Sequence, residues 1–600
     1  MTDTSAARPT PATPAHLVEV LHASAQRDPQ RPLFGRREGG GWVDVSAAQF
    51  RAEVDAVAKG FVAAGVGVGD RVGIMSKTRY EWTLCDFALW SLAAIPVPIY
   101  ETSSVDQVEW ILADSQAVGC VVETKAHAWR LGVVRDRVPS VKHLWQIEDA
   151  KGPGAIEQLK QAGADVPDDE LARRQAALAP NVIATLIYTS GTTGRPKGCM
   201  LTHGNFVAEC SSALRTLPEL FEGDASTLLF LPLAHVFGRM IQVAMVMKGA
   251  KLSHSDPARL VKDLAVVQPT FVLSVPQVFE KIYETARRKA TADGKGAIFE
   301  KAAQTAVDYS RALDQGRPGP LLSLRHAIFD RLVYTKLRAA FGGRAELAIS
   351  GGAPLGERLA HFFRGIGVTV LEGYGLTETT AAAAVNTVTE QRIGTVGRAL
   401  DGFEIRIGAQ GEVLLRGGHV FGGYWDAAEA TSAVLDAEGW LHTGDLGTLD
   451  ADGFLTITGR LKEIIVTAGG KNVAPAQLED VIRAHPIVAQ AMVVGDQRSF
   501  VAALVTLDQE SLDQWLRDQG REARPAAELT HDDQVRAAVQ TAVDAANATV
   551  SSAEQIRRFA ILPVAWTEDS GHLTPTMKLK RGKVLEDFGR EVESLYAARV

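Results

Sequence analysis

From Val18 to about Lys471, short apolar and β-branched runs alternate with helical stretches, and this alternation constrains the fold more than any other feature. It calls for strands joined by crossover helices and packed as α/β layers. The clearest strands are Arg71–Met75, Val118–Val122, Ile183–Tyr188, Phe271–Ser274, Leu347–Ser350 and Thr369–Glu372. Between Gly397 and Gly459 the texture changes to short strands joined by turns. GFEIRIGAQGEVLLRG and LGTLDADGFLTITGR each read as a hairpin, which predicts a small β-barrel beside the layered body. After Arg460 the pattern becomes α+β, with a helix opening at Pro475, where a missing N–H is harmless, and strands near Gln490–Val494 and Phe500–Leu507.

A 600-residue chain exceeds what a single core holds. The expected organisation is a flexible tail over residues 1–16 and a large layered α/β domain over 17–460, with two β-sheets between helices and the barrel at about 397–459. A smaller, mobile α+β domain follows over 461–600.

Hydrophobic content of 46% and charged content of 22% describe an ordinary soluble globular protein. The net charge of −8 leaves no basic excess to neutralise phosphates, which argues against nucleic acid as a partner. Cys85, Cys120, Cys199 and Cys210 have no paired spacing, the usage of reduced thiols in a cytoplasmic protein, and no CxxC pair suggests zinc. The first residues, MTDTSAARPTPATPAH, lack the basic and apolar regions of a signal peptide, and no run of about 18 apolar residues predicts a transmembrane helix.

The segment Glu280–Gly342 is charged and helical, interrupted only at Gly316–Pro320. Leu321, Leu324, Ile328 and Leu332 share one helix face, with Arg325, Arg331, Lys336 and Arg338 elsewhere. Packing of that face on the protein's own body is the expectation; contact with anionic lipid is the other reading.

Thr189 to Gly198 holds three glycines, four hydroxyls and a lysine directly after the apolar strand. Glycines let backbone N–H groups converge on an anion, Thr189, Ser190, Thr192 and Thr193 add donors, and Lys197 adds charge. Arg195 and Pro196 separate Gly194 from Lys197, and Gly198 follows the lysine, so this is not a Walker A loop.

The loop resembles the phosphate loop of the adenylate-forming superfamily. Six further stretches match that superfamily in order: LPLAHVFGR (231–239), SGGAPL (350–355), GYGLTETT (373–380), GWLHTGDLG (439–447), GRLKEIIVTAGGKNVAP (459–475) and LTPTMKLKR (573–581). The resemblance implies that Thr189, Ser190, Gly191, Thr192, Thr193, Gly194 and Lys197 hold ATP phosphates. It implies that Glu378 holds Mg²⁺ together with Thr189, since a hard cation demands oxygen ligands. Tyr374 would stack on adenine, with Gly351, Glu372, Gly373, Gly375 and Thr377 around the nucleotide. Asp445 would accept the ribose hydroxyls and Arg460 would contact ribose and phosphate. His235, Val236, Phe237, Gly238 and Gly352 would line the acyl pocket. Some fatty-acid members carry a gating tryptophan four residues after the histidine; Arg239 stands there in this chain, which departs from that device.

The resemblance further implies that Lys578 bridges the carboxylate and the α-phosphate during adenylation. The small domain then rotates about Lys462, bringing the loop around Gly469 and Gly470 to face the acyl-adenylate and admit the CoA thiol. The long helical segment and the LTPTMKLKR form of the lysine motif resemble long-chain fatty acyl-CoA synthetases. The expected activity is an ATP-, Mg²⁺- and CoA-dependent long-chain fatty acid–CoA ligase, cytoplasmic, with peripheral contact at the inner face of a membrane and a homodimer as further expectations. Two alternatives stand beside it: a ligase that loads an acyl carrier protein, and a binding protein without catalysis.

Overall fold

The computed structural model describes residues 13–149, 152–189, 195–574 and 577–597. Of the expected tail over 1–16, residues 1–12 lie outside the described residues, and His16 caps the helix Leu17–Arg27.

Two sheet layers form the large body. In the first, the strands run in the order Gly41–Ser46, Pro32–Glu38, Lys251–His254, Ser226–Leu229. Thr270 N donates to Ser226 O at 3.0 Å and so carries this layer into a second group. That group runs Phe271–Ser274, Leu347–Ser350, Thr369–Tyr374, Ala384–Val385, Arg398–Ala399. In the other layer the order is Ile95–Ile99, Arg71–Met75, Gly119–Val122, His143–Gln146, all parallel. The hairpin Ile183–Thr189 and Lys197–Thr202 lies beside Ile95–Ile99, where Thr185 Oγ1 donates to Pro96 O at 2.7 Å. Strands such as Phe271–Ser274 and Gly119–Val122 are buried at every position, as parallel strands covered on both faces require.

The expected barrel takes the form of an antiparallel half-barrel sheet of Glu404–Ile407, Glu412–Arg416, Leu441–Leu449 and Leu455–Arg460. Its last two strands place Asp445 directly opposite Arg460.

Beyond Lys462 the chain builds cores of its own on the sheet Val488–Val494, Val501–Leu507 and Ile556–Ile561. Alternate side chains face opposite sides: Val493, Ala503 and Val505 meet the helices Pro475–Arg483 and Asp533–Asn547. Met492, Ala502 and Leu504 meet Arg581–Asp587 and Gly589–Ala597.

Two expectations for the helical segment need correction. It breaks at Asp293–Lys295 as well as at 315–319, because Gly294 adopts φ +70° after the helix Pro276–Ala292. The face expected to pack inward is instead open to solvent: Leu321 is 72%, Leu324 60%, Ile328 49% and Leu332 55% exposed. No helix among the described residues is long and apolar enough to cross a membrane.

Candidate active site

Strand ends of both layers, the half-barrel and the C-terminal unit enclose one cavity of about 1950 Å³. Thr189, His235, Val236, Phe237, Gly351 and Gly352 line it, as do Glu372, Gly373, Tyr374, Gly375, Thr377 and Glu378. Asp445, Arg460, Lys462 and Lys578 complete the set, so residues from seven separate stretches converge.

The polar part is organised around Asp445, whose side chain is 5% exposed. Arg460 Nε donates to Asp445 Oδ1 at 2.8 Å and Tyr374 OH donates to Oδ2 at 2.6 Å. Each oxygen keeps a lone pair for a further donor, which suits a ribose diol. Tyr374 leaves the strand Thr369–Tyr374 on a turn that admits only glycine next, since a Cβ on Gly375 would stand 1.6 Å from Ala381 O.

Glu378 lies on the single turn Thr377–Thr379 and accepts from Tyr424 OH at 2.8 Å. The Tyr424 ring in turn carries the Lys197 ammonium 5.2 Å from its centre. Ser190, Gly191, Thr192, Thr193 and Gly194 lie outside the described residues; the flanks of their loop are well fastened. Tyr188 OH donates to Asp114 Oδ2 at 2.6 Å and Trp110 Nε1 donates to Pro196 O at 2.8 Å. Trp110 and Asp114 are i, i+4 neighbours on the helix Val105–Asp114, so one helix face grips both ends of the loop. Thr189 Oγ1 and the Glu378 carboxylate line the same cavity and are hard oxygen donors, the donor chemistry that Mg²⁺ takes.

Lys578 enters from the C-terminal unit. A tight turn carries it: Lys578 N donates to Thr574 Oγ1 at 3.0 Å and Thr574 N to Lys578 O at 2.8 Å, with Met577 at φ +62°. Loss of water around the ammonium lowers its pKa, Arg460 lowers it further, and the carboxylates of Asp445, Glu378 and Glu463 oppose the shift. Gly469 and Gly470 are exposed and stand outside the cavity lining, while Lys578 is inside it.

His235 caps the helix Val236–Lys248, its Nδ1 accepting from Phe237 N at 3.2 Å. Burial lowers its pKa to about 4 and the Lys578 charge adds to that, so the ring is neutral at pH 7. The same helix leads from this polar end to Met240 and Ile241, which border the apolar part of the cavity with Leu217, Leu220, Phe221 and Phe271.

One expectation for this helix needs correction, and one departure noted in the sequence finds its reason. Gly238 does not line the cavity; a Cβ there would meet Pro232 O at 2.7 Å, so it serves close packing of the helix instead. Arg239 points away from the cavity into the core, donating to Asp86 Oδ1 at 2.6 Å and to Thr185 Oγ1 at 2.5 Å. It is fully buried and gates nothing.

Cys199 lies beneath the site, Sγ 3.8 Å from Thr189 Oγ1. Burial and the Glu378 charge push its thiol well above the ordinary range, which removes the thiolate a nucleophile needs. Sequence reasoning missed Tyr424, Trp110 and Asp114 as supports of the site. A tyrosine after two glycines (Gly422, Gly423) was the available signal for the first; the other two had none.

This cavity, with its paired Asp445 and Arg460 and its lysine brought in by a separate unit, is that of a nucleotide-dependent enzyme, and the chain belongs to the AMP-binding enzyme family. The family model matches residues 21–425, and the model of an AMP-binding enzyme C-terminal domain matches 462–600. The chain is 51% identical over 571 residues, 95% of each chain, to the long-chain-fatty-acid–CoA ligase FadD15 of Mycobacterium bovis. It is 31% identical to the long-chain-fatty-acid–CoA ligase ACSBG2 of Xenopus laevis, over 93% of this chain and 81% of that one. Among solved structures, the A-PCP didomain of a carboxylic acid reductase from Segniliparus rugosus with AMP superposes with a TM-score of 0.74 at 21% identity, covering 98% of this chain and 83% of the other.

Proposed function

We propose that the protein is an ATP-dependent long-chain fatty acid–CoA ligase, converting fatty acid, ATP and CoA to acyl-CoA, AMP and diphosphate through an acyl-adenylate. One observation carries the reading: a single cavity joins the Asp445, Arg460, Lys578 and Glu378 cluster to an apolar compartment bounded by Phe221 and Phe271. A nucleotide and an aliphatic tail therefore share one enclosure, and the half-identical relative is named for that reaction.

In this reading Asp445 and Arg460 hold the ribose, and Lys578 stabilises the charge that develops as the carboxylate attacks the α-phosphate. Neutral His235 orients the carboxylate without adding charge. Mg²⁺, held by Thr189 and Glu378, would neutralise the phosphate charge. The large domain spans 17–460 and the small one 461–600, with the hinge at Lys462; the exposed Gly469 and Gly470 loop meets the CoA arm once Lys578 has left. Contact with a membrane surface and a homodimeric assembly complete the reading, and size-exclusion chromatography with light scattering checks the latter.

The test supplies palmitate, ATP and Mg²⁺ with either CoA or a phosphopantetheinylated acyl carrier protein, and follows AMP and thioester. Palmitoyl-CoA with stoichiometric AMP is the expected result. Thioester on the carrier alone selects the carrier-loading alternative, and absence of pyrophosphate release with every fatty acid overturns both.

A further inference from the structure

The stretch LTPTMKLKR ends on Arg581, which the proposed chemistry leaves without a task. Arg581 opens the helix Arg581–Asp587, directly after the turn that carries Lys578. Its Nη1 donates to Glu479 Oε1 at 2.6 Å and its Nη2 donates to Val493 O. Glu479 sits on the helix Pro475–Arg483, and the same Oε1 also accepts from Val493 N at 2.6 Å.

Val493 belongs to the outer strand of the C-terminal sheet, in register with Ala503. Its N–H and C=O face away from the neighbouring strand, and an outer strand must find other partners for such groups. The carboxylate takes the N–H and the guanidinium takes the C=O, so the ion pair is keyed to one residue of the sheet. With side chains 13% and 18% exposed, the pair is largely shielded from the water that loosens surface ion pairs.

Leu573 and Leu579 also pack the turn against this sheet, beside Met492 and Val494. Apolar contact of that kind sets a distance but no direction. A guanidinium fork on two fixed acceptors sets direction as well. At its other end the turn is tied within its own segment: Lys580 N donates to His572 O at 2.8 Å, and His572 Nε2 lies 2.8 Å from Asp587 Oδ2. The Glu479–Arg581 pair instead joins that segment to the sheet.

We propose that Glu479 and Arg581 are positioning residues for adenylation, fixing the direction in which the turn presents Lys578 to the cavity. They act through the lysine and not on the substrate, so the proposal rests on the role given to Lys578 under the proposed function.

The test uses the full-length protein, with palmitate and MgATP for the first half-reaction and palmitoyl-adenylate with CoA for the second. Glu479→Ala and Arg581→Met should each slow acyl-adenylate formation by about 10- to 100-fold, the scale for a misplaced reacting group, with KM for MgATP unchanged. Thioester formation should stay near the wild-type rate, and it reports that the unit is folded, since Gly469 and Gly470 belong to it. Glu479→Gln keeps an oxygen for Val493 N and Arg581 and should retain most of the adenylation rate. Adding Glu479→Ala to Lys578→Ala should cost nothing further, as expected of a residue that acts through the lysine. Amide hydrogen exchange at Lys578 and Lys580 should quicken in Glu479→Ala while Ala503 and Val505 keep wild-type protection. A slow Lys578→Ala beside a normal Glu479→Ala, equal loss of both half-reactions in Glu479→Ala and Arg581→Met, or a further loss in the double variant would overturn this proposal alone. Normal adenylation by Lys578→Ala would overturn the role given to the lysine, and this proposal with it.

Discussion

Tyr424 donates its phenol to Glu378 at 2.8 Å while its ring carries the Lys197 ammonium at 5.2 Å. One side chain thus fixes a carboxylate that lines the cavity and a cation from a distant stretch that stands outside the lining. Tyr424→Phe keeps the ring and removes one hydrogen bond to a charged group, a loss of about 1.5–3 kcal/mol. The expected outcome is a rise of roughly 10- to 100-fold in KM for MgATP with the melting temperature held, measured by pyrophosphate release. Tyr424→Leu removes the cation–π contact as well and should be worse.

Asp445 is the acceptor shared by Arg460 and Tyr374. Asp445→Asn preserves the volume but turns one accepting oxygen into a donor, which leaves either the phenol or the guanidinium unpaired. Nucleotide affinity should fall at least about tenfold, with a loss of stability of about 1–3 kcal/mol for the orphaned partner. Calorimetric ATP titration and a denaturant melt read the two effects separately.

Burial lowers the pKa of His203 and His419 to about 3 and of His235 and His254 to about 4. Unfolded, these rings titrate near 6.5, so the unfolded chain binds more protons than the folded one between pH 6.5 and 4. Stability contributed by the neutral rings is present above pH 6.5 and is lost as the pH falls through that window. The melting temperature should therefore decline from pH 6.5 to 4, and a melting temperature constant across that range would contradict these burial effects.

Strands such as Phe271–Ser274 and Leu347–Ser350 were legible from sequence to the residue, because burial along most of a strand in a parallel layer leaves a short apolar run that ends on a polar residue. Asp445, Arg460 and Lys578 were legible through their motifs. The apolar compartment was not: Leu217, Phe221 and Phe271 come from unrelated stretches and meet only in the folded chain. The direction of Arg239 was hidden because its partner, Asp86, lies 153 positions away. The Leu321–Leu332 row misled for a different reason, since the 3.6-residue period is the same for a face that meets the core and one that meets solvent.

Arg288, on the helix Pro276–Ala292, donates to Glu510 Oε1 at 2.6 Å and to Ser511 Oγ at 2.9 Å in the C-terminal unit. If that unit swings during the reaction, this contact must break. Glu510 is mostly exposed, so the pair is worth at most about 1 kcal/mol and holds the C-terminal unit against this helix only weakly. Arg288→Ala should shift the ratio of the two half-reaction rates toward thioester formation by no more than about fivefold. High salt should mimic the substitution in wild type.

Under the proposed mechanism Lys578 serves adenylation alone and leaves before the thiol arrives. Comparing the two half-reactions in Lys578→Ala tests this. Acyl-adenylate formation from palmitate and MgATP should fall by about 10²- to 10³-fold, the scale for one preorganised electrostatic contact. Palmitoyl-CoA formation from supplied palmitoyl-adenylate and CoA should stay near the wild-type rate. Lys462→Pro, which restricts the proposed hinge, should show the reverse. Equal loss of both half-reactions in Lys578→Ala would contradict the account.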